Sequence, residues 1–165
     1  MDQEEQDDVS VMDQEELDGF MDALRAIEPD LNRLASYGER ALPALRNVIA
    51  GDDIIMIKKA IRVAALMGGP DCIGLILANA GSEHPDVRST IAVALRDIYE
   101  DIPTSRQTDI LKRLLKDEDA AVRRLALVTT GELKVNDVRD EVLEIAANDE
   151  NEALREIAGT VQGRL

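Results

Sequence analysis

Read for hydrophobic and polar positions, the chain alternates between stretches of helical period and short breaks rich in Gly, Pro, Asn and Asp. The clearest stretch covers residues 84–100. Within it Val87, Ile91, Ala94, Leu95 and Ile98 fall at i, i+4, i+7, i+8 and i+11, which is one stripe of an α-helix. Pro85 stands where a first helical turn tolerates a missing N–H, and Asp86 brings negative charge to the positive end of the helix dipole. A helix cannot bury such a stripe by itself. It needs partners of the same kind, and the rest of the chain supplies them.

The same periodicity predicts helices over 15–27, 31–34, 41–50, 53–67, 71–80, 86–100, 104–116, 118–133, 137–147 and 150–161, with no β pattern between them. In the first of these Leu17, Phe20, Met21, Leu24 and Ile27 form the apolar face, and Pro29 ends it. Thr104, with Gln107 three residues later, has the spacing of a capping box. Breaks fall at Gly51-Asp52-Asp53, Gly68-Gly69-Pro70, Gly81-Ser82, Asp101-Ile102-Pro103 and Asn148-Asp149.

The helices come in pairs, and the pairs repeat. Val87-Arg88 recurs as Val122-Arg123 and, more loosely, as Leu154-Arg155 and Ile57-Lys58, so the anchors are 30, 35 and 32 residues apart. Periods of that length mark helical repeat arrays. The run Asp86-Val87-Arg88-Ser89-Thr90-Ile91-Ala92-Val93-Ala94-Leu95 resembles the HEAT repeat, and the short spacing is most similar to the HEAT-like repeats of phycobilisome lyase subunits. The third copy departs from the pattern with Thr129-Thr130 and the fourth with Val161-Gln162.

The resemblance implies an all-α fold: a short right-handed α-solenoid of about four HEAT-like helical hairpins, with the first helix as an N-terminal cap. It further implies that Arg88, Arg123 and Arg155 pair with an aspartate of a neighbouring repeat, for which Asp86 and Asp119 are the candidates. In the family the second helix of each pair lines the concave face. Lys58, Lys59, Arg62, Arg88, Arg96, Arg123 and Arg124 would then tint that face basic. The structural ladder and the basic groove remain alternative uses of the same arginines.

Charge changes the picture at one end. The chain of 165 residues has a net charge of −15, and residues 1–16 hold eight of its 34 acidic residues and no base. Residues 1–14 therefore read as a disordered acidic tail, with 15–165 as the repeat domain. If the bases face one groove, that tail is a possible occupant of it; otherwise it keeps the protein soluble. Met1-Asp2-Gln3-Glu4-Glu5 has neither the basic nor the apolar region of a secretory leader, and a cytoplasmic location is expected.

Catalytic chemistry has little to stand on. His84 is the sole histidine and Cys72 the sole cysteine. Neither has a clustered partner in sequence, and there is no phosphate loop, zinc spacing or nucleophile elbow. The expectation is a non-enzyme without cofactor or metal. Strong acidity and an aromatic content of 2% argue against nucleic acid, which needs dense positive charge and stacking rings. No stretch reaches the roughly 18 apolar residues of a membrane span.

Apolar excess is the better pointer. Residues 72–80 carry no charge on any helical face, and Ile54, Ile55, Met56 and Ile57 run together. Such helices are either deeply buried or expose an interaction patch, with Ile55, Met56 and Leu75 as its members. The leading function is a non-catalytic protein-binding scaffold. The alternatives are an accessory subunit of a chromophore lyase, suggested by the repeat resemblance, and a DNA-binding solenoid.

Overall fold

The computed structural model describes residues 11–165, which form ten α-helices and no strands. After α1 (Gln14–Arg25) and the short α2 (Leu31–Ala35) come four hairpins. They are α3 (Leu42–Ile49) with α4 (Ile54–Met67), α5 (Gly69–Ala78) with α6 (Pro85–Ile98), α7 (Thr104–Leu115) with α8 (Ala120–Leu133), and α9 (Arg139–Asn148) with α10 (Glu152–Gln162). The fold is an all-α solenoid. Residues 1–10 of the expected acidic tail lie outside the described residues.

Side-chain capping sets half of the helix starts. Asp13, Asp30, Asp53, Asp119 and Asn151 each accept backbone N–H bonds from the first turn that follows them. Asp13 and Glu16 complete a reciprocal capping box, so the second Met-Asp-Gln-Glu-Glu run is the beginning of α1. Thr104 does not cap α7. The cap position falls on Pro103, and the Gln107 amide instead donates to the carbonyls of Tyr99 and Ile102 at 2.9 and 3.1 Å.

The second helices carry the array. α2, α4, α6, α8 and α10 pack in one continuous row, each against the next. Val87, Ile91, Ala94, Leu95 and Ile98 are all buried, as the stripe requires. Ala60, Ala64, Ala92, Ala126 and Ala158 are completely buried on the same row, and small residues let helix axes come close. At the α8–α10 crossing a Cβ on Gly131 would lie 3.2 Å from Val161. The two threonines that break the repeat pattern sit in this layer. Thr129 Oγ1 donates to the Ala92 carbonyl of α6 at 2.8 Å, which ties α8 to its neighbour.

The first helices are spaced more widely. A cleft of about 430 Å3 separates α5 from α7, lined by Ile73, Gly74, Leu77, Pro103 and Arg106 among others. Close spacing on one side and wide spacing on the other bends the row, so the second helices lie on its concave side.

α1 closes the N-terminal end against α2 and α4. Phe20 and Leu24 are completely buried, and the Phe20 ring meets Tyr37 edge-on with centroids 5.3 Å apart. The helix stops at Arg25, two residues short of expectation. Ile27 falls beyond it and is 97% exposed, so it belongs to the connection and not to the apolar face.

Candidate protein-binding groove

The arginines of the repeat anchor have a fixed structural use. Arg88 donates through Nε and Nη2 to both carboxylate oxygens of Asp117, at 2.7 and 2.8 Å. Its Nη1 donates to the carbonyls of Ser82 and Glu83. Arg123 repeats the arrangement with Asp149, at 2.8 and 3.1 Å, and with the carbonyls of Asp117 and Glu118. Arg155 makes the carbonyl half of it, to Asp149 and Glu150. Each paired aspartate also accepts the N–H two residues on, from Asp119 or Asn151, and so turns the chain into the next helix.

These rungs correct the expected pairing. The partners are Asp117 and Asp149, whereas Asp119 caps α8 and Asp86 stands 4.0 Å from Lys58. Both arginines are buried, with 8% of the Arg88 side chain exposed against 8% for Asp117. Arg88 and Arg123 are therefore unavailable to a partner, and they leave the set of candidate binding residues. Burial alone would raise the carboxyl of Asp117, but the Arg88 guanidinium and the Asp119 N–H bring it below the ordinary carboxylate range. Asp149 is lowered in the same way by Arg123 and Asn151, against the effect of burial.

The first repeat is different. At the arginine position stands Lys58, and at the aspartate position stands Ser82, whose Oγ accepts the His84 N–H at 3.3 Å but carries no charge. No rung forms there. Beside this junction the concave surface opens into a groove of about 360 Å3, lined by Pro29, Leu31, Lys58, Lys59, Arg62, Ser89, Thr90, Val93 and Leu125. Leu31, Val93 and Leu125 are half-buried and give it an apolar floor.

Three of the expected cations thus meet in one place, and their surroundings differ. Lys59 donates to the Ala26 carbonyl at 2.6 Å and holds the connection after α1. Lys58 has the long contact to Asp86. Among the described residues Arg62 has no hydrogen-bond or ion-pair partner, and its Nε is buried without an acceptor. A buried donor left unmade costs about 1–3 kcal/mol.

The remaining expected residues fall around this groove or away from it. Ile55 is 67% exposed and shares the outward stripe of α4 with Lys59, Arg62 and Leu66 at i, i+4, i+7 and i+11. Arg96 is engaged with Glu132 at 2.9 Å across α6 and α8. Arg124 is exposed beside Leu125 on α8. Met56 packs half-buried against the core. Leu75, also half-buried, lies on α5 in the outer layer and is not part of the groove. Around it Cys72, Ile73, Ile76 and Leu77 are buried, which accounts for most of the uncharged run. Burial pushes the Cys72 thiol up, away from a reactive thiolate. Among the described residues no group of His, Cys, Asp and Glu is placed to hold a metal, and no helix is long and apolar enough to cross a membrane.

Sequence reasoning found the cations and missed their acceptors. The signal was present in Asp117-Glu118-Asp119 and Asp149-Glu150-Asn151, where an aspartate recurs two residues before each helix cap.

No curated protein matches the chain. Residues 42–128 match the family described as HEAT repeats, without reference to the narrower phycobilisome-lyase type. That span runs from α3 into α8 and contains the first rung and most of the groove. The repeated hairpins, the stacked second helices and this match together show that the chain belongs to the HEAT repeat family.

Proposed function

We propose that the protein is a non-catalytic scaffold that binds another protein through the concave surface of α4, α6 and α8. The observation that carries this reading is the uncovered groove. Its apolar floor of Leu31, Val93 and Leu125 lies beside the exposed Ile55 on a face that no other described helix covers. Concave surfaces of stacked repeats are extended and rigid, which suits them to hold a partner segment. At about 360 Å3 the groove falls within the range of specific binding sites, roughly 300–1,000 Å3.

Site-directed photo-cross-linking in the native cell tests this. A photoreactive residue at Leu125, in the groove, should yield a discrete protein adduct, and one at Arg106, on the outer layer, should not. Adducts of equal yield at both positions, or none at Leu125, would remove the concave face as the binding surface.

A further inference from the structure

We infer that the groove takes an acidic peptide segment, one in which a carboxylate lies next to an aliphatic side chain. The inference rests on the scaffold reading above and adds the chemistry of the ligand. Its first ground is charge. The chain carries 34 acidic residues against 19 Lys and Arg, yet the nine groove residues include three cations and no carboxylate. In a molecule of net charge −15, a local surface of that composition is the reverse of the background.

The second ground is Arg62. On the later second helices Arg88 and Arg123, which stand at the position of Lys58 one turn before that of Arg62, are each closed by an aspartate with two-oxygen geometry. Arg62 has a buried Nε with no acceptor and faces the groove, so the chain leaves open what it satisfies elsewhere. A carboxylate from a partner would supply the missing oxygens in the paired geometry that guanidinium groups favour. Lys58, held among the described residues by nothing closer than a 4.0 Å contact to Asp86, stands ready for a second one.

The third ground is the floor. Leu31, Val93 and Leu125 offer apolar surface within the same cavity, so an aliphatic side chain beside the carboxylate is also accommodated. A phosphate backbone fits less well. It would bring a dense row of charge to three cations set in a strongly acidic protein, whereas a peptide brings its carboxylates singly.

Selection of a random twelve-residue peptide library displayed on phage against the full chain decides the matter. Enriched peptides are then measured by fluorescence anisotropy with wild type and with Arg62→Met and Ser89→Trp, the latter filling the groove. Leu125→Trp serves as a second filling variant, and circular dichroism confirms that each variant folds. The expected result is a pool of net negative peptides with Leu, Ile, Val or Met adjacent to Asp or Glu. Their affinity should fall at least tenfold with Arg62→Met and be lost with either filling variant. It should also weaken as salt rises, because the contact is electrostatic. Peptides that are blocked by the filling variants but are uncharged or basic, or indifferent to Arg62→Met, would overturn the acidic ligand and leave the scaffold reading standing. No enrichment, or peptides indifferent to all three variants, would overturn both.

Discussion

The junction of α4 with α6 and the two that follow it solve one problem in two ways. At α6–α8 and α8–α10 a buried arginine reaches from one repeat to an aspartate in the connection between the two helices of the next, and that aspartate shapes the turn into the second helix. At α4–α6 both members of the rung are replaced together, by Lys58 and Ser82. The turn survives, since Ser82 still accepts the His84 N–H, but the ion pair does not. Where the cations are not held by the stack, they line a groove. The difference teaches that equivalent positions in a repeat need not serve equivalent ends: two repeats use their anchor arginines for cohesion, and the first sets Lys58 in the wall of a groove.

Breaking a rung should have the largest effect. Asp117→Ala takes both paired oxygens from the buried Arg88 and leaves it, for a carboxylate, only a 3.5 Å contact to the exposed Glu118, and is expected to cost about 3–5 kcal/mol in urea unfolding. A midpoint equal to wild type would mean that Arg88 reorients to water. Leu95→Ala, in the apolar layer beneath the same junction, should cost roughly 2–5 kcal/mol from lost transfer energy and the residual cavity. It provides a scale on which the rung can be judged.

Acid should reveal the rungs as a pair. Asp117 and Asp149 are lowered in the folded protein relative to an ordinary value of about 3.9. Their contribution is therefore full above that value and is lost as pH falls through their folded values. Glu141 is lowered in the same sense, despite burial, by its own backbone N–H and by Lys112 and Lys116. Urea midpoints measured from pH 6 to pH 2 should fall steeply below about pH 4 in wild type, and less steeply in Asp117→Asn with Asp149→Asn. Parallel curves would place the acid sensitivity elsewhere.

A smaller effect is expected from building the absent rung. Lys58→Arg and Ser82→Asp, made singly and together, should show a favourable coupling of about 1 kcal/mol, within the range for contacting residues. The double variant should also withdraw the cation at position 58 from the groove, leaving Lys59 and Arg62. A coupling of zero would show that the first junction is too differently spaced to accept the pair.

Much of this architecture is legible in the chain because helical period and repeat spacing are local properties. The stripe from Val87 to Ile98, the paired helices and the Val-Arg anchors all follow from residue order. What the order conceals is the three-dimensional partner. Asp86 and Asp119 are the aspartates nearest the anchors, but they sit at helix starts, where their carboxylates serve the first turn or solvent. The acceptors stand two residues before the helix caps, in the connection, and only the stacking of one repeat on the next brings them to the guanidinium. For the same reason Arg62 and Arg88 look alike in sequence, each a cation on a second helix, although one is closed and the other open.

The measurement that tests the account most directly is the same substitution at those two sites. Arg88→Met and Arg62→Met each remove a guanidinium and keep an apolar stem of similar length. Arg88→Met should lose about 3–5 kcal/mol, because Asp117 is stranded in the protein, while Arg62→Met should lose nothing and gain up to about 1–3 kcal/mol, because it removes a buried donor without an acceptor. Equal losses at the two positions, or a loss confined to Arg62→Met, would contradict this.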